Sequence, residues 1–356
     1  MYYNDYFRNK TILVTGHTGF KGSWLTMMLK SLGSNIIGYS LNPVNQYDNF
    51  EVLNLSRSIT DLRGDVRDIN KLKSAFDRYQ PDIVFHLAAQ PLVRKSYEIP
   101  RETLEVNLMG TVNVLESFRN SEKTTSLIVI TSDKVYENRE WIWSYRENDQ
   151  LGGYDPYSAS KGAAELICSS YQRSFFNPDA YKDHKKVMAT VRAGNVIGGG
   201  DWSKDRIIPD VMSAIETNNA IRIRNPDSIR PWQHVMEPLY GYMLLASKLH
   251  TDPKKFSGPW NFGPNSASHL PVKDLVALVI KQYGKGKILM DAQKNELHES
   301  KYLSLDNAKS STYLEWKQKL SIEDTVALTV EWYKNYKERN IVQLVKKQVV
   351  DFLNKS

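Results

Sequence analysis

The sequence predicts an α/β fold: a doubly wound parallel sheet with a smaller mixed α/β lobe. Three observations carry this. Short apolar, β-branched runs alternate with helical stretches through the first half of the chain. One such run, Thr11-Ile12-Leu13-Val14-Thr15, leads directly into Gly16-His17-Thr18-Gly19-Phe20-Lys21-Gly22 and then into a helix. Other runs end in small or polar residues, Ala88-Ala89 and Ser132-Asp133-Lys134, as strands do when they open on a crevice. The 356 residues suffice for two lobes sharing a core. Residues 1–190 are expected to form the first lobe and residues 191–356 mainly the second, with interleaved segments.

Taken in order, Thr11–Thr15 reads as a buried strand and Ser23–Lys30 as a helix ending near Gly33. The glycine turn between them lets backbone N–H groups approach phosphates, and the helix N-terminus adds partial positive charge. This makes a pyrophosphate site of the Rossmann-like kind, although the glycine spacing departs from the commoner Gly-x-Gly-x-x-Gly.

Ser34–Ser40 is the second strand. An acid normally follows such a strand to hold the adenosine ribose. Gly38-Tyr39-Ser40-Leu41-Asn42 contains none, and no Arg or Lys for a 2′-phosphate. NAD is therefore expected over NADP, its ribose held by hydroxyls or backbone. Gly64-Asp65-Val66 closes a third strand, and Asp65 either reaches an adenine amino group or is a solvated turn acid. The fourth strand is Asp82–Ala89, with His86 a packed strand residue. Thr103–Phe118 has helical periodicity and carries Asn107. Leu127–Thr131 is the fifth strand.

Tyr157 and Lys161 stand four positions apart, on one face if the segment is helical. An ammonium near a phenol favours the phenolate, so the Tyr157 pKa is expected to fall. Val187–Arg192 is the sixth strand, entering a glycine-rich loop. Arg206–Asp210 opens a helix, and Ile221–Arg224 is a strand with one charged face. Beyond Pro271 the pattern is helical, then strand-like over Lys301–Asp306. Two helices follow, Ile322–Asn340 and a basic amphipathic one to Ser356. The last either lies on a membrane surface or simply keeps the chain soluble.

The apolar fraction of 41% belongs to a globular protein. The one cysteine, Cys168, excludes an intrachain disulfide and reads as a buried small hydrophobe. No apolar run approaches the roughly 18 residues of a membrane span, and the N-terminus is unlike a signal peptide. A cytoplasmic location is expected. The net charge of +7 is dispersed among acids, which argues against a nucleic-acid polymer as partner and suits a small anionic substrate. No metal-ligand cluster is legible.

The set Gly16-x-x-Gly19-x-x-Gly22, His86-Leu87-Ala88-Ala89, Asn107, Ser132 and Tyr157-x-x-x-Lys161 resembles the extended short-chain dehydrogenase/reductase family over roughly residues 8–270. Within it, Ser132-Asp133-Lys134-Val135-Tyr136-Glu137-Asn138 and Arg230-Pro231-Trp232-Gln233-His234-Val235 are similar to nucleotide-sugar 4,6-dehydratases, in particular those acting on CDP-sugars. Many relatives acting on dTDP- or GDP-sugars carry Thr-Asp-Glu or Thr-Ser-Glu where this chain has Ser132-Asp133-Lys134.

The resemblance implies NAD, contacted at Gly16, His17, Gly19, Phe20, Lys21, Gly22, Asp65, Val66, Leu87, Ala88, Ala89, Asn107, Tyr157 and Lys161. It implies a CDP-sugar substrate held by Asn195, Arg206 and Arg230. Tyr157 would take the 4-hydroxyl proton, with Lys161 holding the phenolate and Ser132 orienting the hydroxyl. Asp133 would protonate the leaving 6-hydroxyl. Either Lys134 takes the C5 proton, which requires a neutral amine, or it stays charged and stabilises the enolate. A homodimer or homotetramer is also implied.

Overall fold

A computed structural model describes residues 5–290 and 302–355. Six strands, β1 (Thr11–Thr15), β2 (Asn35–Ser40), β3 (Thr60–Arg63), β4 (Ile83–His86), β5 (Ser126–Ile130) and β6 (Val187–Arg192), are joined by a seventh, β7 (Gly258–Asn261). They form one parallel sheet in the order β7-β6-β5-β4-β1-β2-β3. The order reverses between β1 and β4, and a crevice opens there at the carboxyl ends of the strands. β4, β5 and β6 are buried throughout, which is why they read as continuous apolar runs.

Helices cover both faces: α1 (Phe20–Ser31), α2 (Ile69–Tyr79), α3 (Gly110–Asn120) and α4 (Pro156–Phe175) from the first half. From the second half come α5 (Ile207–Glu216), α6 (Met236–Lys248), α7 (Val272–Tyr283), α8 (Ile322–Asn335) and α9 (Ile341–Asn354). One core cluster holds α1, α5, α6, α8 and α9 together; a second lies on the opposite face, under α2, α3 and α4. Short ladders pair Ile221–Ile223 with Ile288–Met290, and Ile229–Pro231 with His269–Pro271.

Several expectations are corrected. The stretch read as one helix through Asn107 is interrupted by a π-helical segment, Glu105–Met109, a widening common at functional sites. The strand expected at Lys301–Asp306 reduces to a single bridge between Leu305 and Tyr145; Lys301 lies outside the described residues. The helix expected to run to Asn340 stops at Asn335. α9 is not laid open for a membrane surface: Ile341, Val345, Val349 and Phe352 are buried in the core. Among the described residues no helix is long and apolar enough to cross a membrane.

Candidate active site

The glycine turn has the geometry of a phosphate cradle. Gly16 has φ +76°, and a Cβ there would stand 2.7 Å from the Ala88 backbone nitrogen. A Cβ on Gly22 would stand 2.1 Å from the Gly16 carbonyl oxygen, so α1 can approach β1 this closely only without one. The Gly19 amide donates to the Gly16 carbonyl at 3.1 Å, and Gly19 leads into α1. Leu87 and Ala88, leaving β4, donate their amides to the Thr15 carbonyl and hydroxyl at 3.1 and 3.2 Å. This fixes the small residues Ala88 and Ala89 beside the turn. Phe20 lies against the loop of β6, 3.2 Å from where a Gly198 Cβ would be.

Two expected cofactor residues have side chains engaged within the chain. The His17 side chain is fully buried under β2, where it fills the space that a Gly38 side chain would need. Its Nε2 lies 2.8 Å from Asp61 Oδ1. Burial lowers its pKa despite that carboxylate. Asp65 is held by Arg67 through a forked contact, with Nη2 at 2.6 Å, and its carbonyl accepts from Tyr39 at 2.9 Å. Val66 packs beside Gly110.

The catalytic candidates converge. Asp155 caps α4 by accepting from the Ser158 amide at 2.9 Å and hydroxyl at 2.6 Å, and Pro156 opens the first turn. That start puts Tyr157 and Lys161 on the buried face. Ser160 donates to the Tyr157 carbonyl at 2.6 Å and accepts from Asn107 Nδ2 at 2.8 Å. Asn107 also brackets Gln90, accepting from its amide at 2.8 Å and donating to its carbonyl at 3.1 Å. The π-helical segment thus ties α4 to the chain leaving β4. The Lys161 ammonium donates to the Ile130 carbonyl at 3.2 Å. Burial, then Lys21, bring its pKa down to about 8.

Ser132 and Asp133 leave β5, with the serine hydroxyl donating to Asp133 Oδ1 at 3.0 Å. Asp133 Oδ2 is buried and makes no hydrogen bond among the described residues. The Lys134 amide donates to the Ser132 hydroxyl at 3.3 Å. Tyr157 departs from expectation. Burial pushes its pKa up to about 12, with the Asp133 carboxylate in the same direction; the Ser132 hydroxyl and Arg206 act against the rise. Desolvation of the phenolate sets the direction of the shift here.

The second half adds the remaining groups. Gly194 lies so close to Asp133 that a Cβ would stand 2.9 Å from Oδ2, and Pro231 lines the same point. Asn195 follows Gly194 in the chain and Arg230 precedes Pro231. The Asn195 carbonyl accepts from the Gln233 amide at 3.2 Å. Arg206 pairs with Asp201 at 2.8 Å. Burial opposes the Arg206 charge, but Asp201 more than offsets it and raises the pKa. Lys21, on the first turn of α1, completes the cluster: burial and then Arg206 bring it down to about 8, against the pull of Asp133.

Residues not singled out by sequence reasoning hold this centre in place. Glu165, one turn beyond Lys161, accepts from Thr131 at 2.5 Å, Thr190 at 2.6 Å, and Arg192 Nε and Nη2 at 2.9 and 3.0 Å. Arg192 donates onward to the Tyr136 hydroxyl at 2.6 Å, and Tyr136 to Asn261 at 2.8 Å. β5, α4, β6 and β7 are thereby joined through one buried network. His86, held neutral at about 3 by burial and Lys161, links Thr15 at 2.7 Å to Thr111 at 3.1 Å. Arg63 was also missed. It comes from β3 to the end of β2, where no basic residue was expected.

The GDP-mannose 4,6 dehydratase family model matches residues 13–329. The chain belongs to this family. It is 44% identical to the CDP-glucose 4,6-dehydratase of Salmonella typhimurium over 351 residues, 98% of each chain. It is 26% identical to the UDP-glucose 4-epimerase of Pisum sativum, covering 92% of this chain and 96% of that one. Among solved structures, the Thermus thermophilus UDP-glucose 4-epimerase complex with NAD superposes with a TM-score of 0.79 at 22% identity, over 91% of this chain and 99% of that one. The dTDP-glucose 4,6-dehydratase of Bacillus anthracis, in complex with NAD, gives 0.76 at 21%, over 94% and 99%. The family fold is thus shared across dehydratases and epimerases.

Proposed function

We propose that the chain is an NAD-dependent nucleotide-sugar 4,6-dehydratase, a hydro-lyase that converts CDP-glucose to CDP-4-keto-6-deoxyglucose for deoxysugar synthesis. The observation that carries the reading is the 44% identity with a CDP-glucose 4,6-dehydratase across 98% of both chains. The convergence of Ser132, Asp133, Tyr157 and Lys161 supports it. The Gly16–Gly22 cradle, with no room for a Cβ at Gly16 or Gly22, fits a dinucleotide pyrophosphate. Residues 1–190 would mainly hold the cofactor, and residues 191–356 mainly the sugar nucleotide.

When bound, NAD supplies a hydride acceptor for sugar C4, a donor for C6, and a cationic ring that favours the Tyr157 phenolate. Tyr157 takes the 4-hydroxyl proton, and Ser132 holds that oxygen. Oxidation at C4 acidifies the C5 proton. Asp133, with one buried oxygen left for a ligand, protonates the departing 6-hydroxyl. Lys134 takes the C5 proton. Asn195, Arg206 and Arg230 hold the diphosphate, guanidinium forks being suited to its oxygens. Exposed Leu104, Met109, Leu166 and Phe175, near or on the helices that carry Asn107 and Tyr157, favour a homodimer or homotetramer. The setting is cytoplasmic.

Incubation with CDP-, dTDP-, UDP- or GDP-glucose and NAD, read by the alkaline absorbance of a 4-ketosugar, tests the assignment. CDP-glucose should turn over fastest. Faster turnover of another nucleotide would overturn the substrate, and C4 inversion without a stable ketosugar would indicate an epimerase instead. Lys134→Met should slow solvent exchange of the C5 proton by about 100-fold, as loss of a general base does. Undiminished exchange would leave Lys134 only an electrostatic role.

A further inference from the structure

At the end of β2 a dinucleotide-binding chain usually places an acid that accepts from the ribose 2′-hydroxyl, or an Arg for a 2′-phosphate. Here the second strand ends at Ser40, whose hydroxyl lies 2.8 Å from that of Thr18. The register pairs Ser40 with Arg63 on β3. Arg63 donates through Nη1 to the Leu41 carbonyl at 3.1 Å, and through Nη2 to Asp61 at 2.7 Å. Its guanidinium lies over the Phe50 ring, 5.1 Å from the centroid.

Both oxygens of the carboxylate in this corner are already engaged within the chain. Asp61 has one oxygen on His17 and the other on Arg63. A guanidinium carries five N–H groups. Two are engaged here, and the others bond no described residue. With 32% of its side chain exposed, Arg63 remains open to a ligand. A fixed acid at this position would repel a 2′-phosphate; here that repulsion is muted by the arginine it is paired with.

We propose that Arg63 reads the 2′ position of the cofactor's adenosine ribose and accepts a 2′-phosphate as well as a 2′-hydroxyl, so that NADP binds this chain alongside NAD. The proposal rests on the NAD reading above. It makes β3, rather than the end of β2, the origin of the selectivity residue. Asp61 and the buried His17 beneath it act as positioning residues for the guanidinium.

Direct titration of the full chain with NAD and with NADP, followed by calorimetry without sugar, tests this apart from activity. The wild-type chain should bind NADP within about thirtyfold of NAD. Arg63→Gln should weaken NADP at least about tenfold while changing NAD less than about threefold, and Arg63→Lys should retain most NADP affinity. The NADP affinity lost in Arg63→Gln should shrink as salt is raised, since the contact is ionic and part-exposed. A wider gap between the cofactors in the wild type overturns the proposal, as does a loss in Arg63→Gln that is absent or shared equally. Failure of the wild type to bind either cofactor would instead sink the NAD reading itself.

Discussion

Glu165 and Glu237 are both buried carboxylates, one on α4 and one near the start of α6, and their surroundings send them in opposite directions. Glu165 receives four hydrogen bonds, two from Arg192 and one each from Thr131 and Thr190. Burial opposes its charge, yet Arg192 and the hydroxyls hold its pKa below the usual carboxylate range. Glu237, near the start of α6, accepts only the Lys319 and Leu320 amides, at 2.9 and 2.8 Å, on one oxygen. Its other oxygen is buried without a partner among the described residues. Burial pushes its pKa up to about 7, against those amides and the more distant Lys319 and Lys355 charges. Equal burial thus yields a fixed charge where a counter-ion is supplied and a titrating one where it is not. The catalytic helix is anchored by the first arrangement.

The sharpest way to break this contrast is to remove the counter-ion. Arg192→Leu leaves Glu165 charged and unpaired, and should destabilise the fold by roughly 3–5 kcal/mol in urea unfolding. Activity should fall with it, because β5, α4 and β6 meet at this pair. A loss below about 1 kcal/mol would mean that Glu165 is neutralised without the arginine.

At Glu237 the sign reverses. Its folded pKa lies above the unfolded value, so the native state binds the extra proton. Stability is therefore lost as pH rises from the ordinary Glu range through about 7, by on the order of 3 kcal/mol in all. Glu237→Gln keeps an acceptor for both amides and removes the titration. Its melting temperature relative to wild type should rise steadily between pH 5 and pH 8, reaching a few degrees. A difference that does not change with pH would show that Glu237 does not titrate there.

The two sites also differ in how far the sequence reveals them. The buried strands β1, β4, β5 and β6 are legible because strands covered on both faces need apolar residues without interruption. β7, the tetrapeptide Gly258-Pro259-Trp260-Asn261, has no such run, and Pro259 is tolerated because β7 is an edge strand. Tyr157 and Lys161 are legible through helical spacing, and Ser132 through its exit from a strand. The direction of the Tyr157 shift is not, since desolvation depends on what the tertiary fold lays over the phenol. Glu165, Arg192 and Asn261 meet across long separations in sequence, so no local pattern announces them. Arg63 is not legible because a ribose partner is expected on the strand that ends there, whereas Arg63 comes from the neighbouring strand of the sheet.

The smallest expected effect tests whether the hydroxyls or the arginine fix Glu165. Thr190→Val preserves shape and removes one of the four bonds. Glu165 Oε2 keeps its bond from Arg192 Nη2 at 3.0 Å, so the carboxylate stays paired. Loss of one hydrogen bond to a charged group should cost about 1.5 kcal/mol, well short of the Arg192→Leu effect. Turnover should be nearly unchanged, because Lys161 and Tyr157 retain their own contacts with Ile130 and Ser160. If Thr190→Val instead matched Arg192→Leu in unfolding, the hydroxyls rather than the ion pair would be what keeps this carboxylate charged.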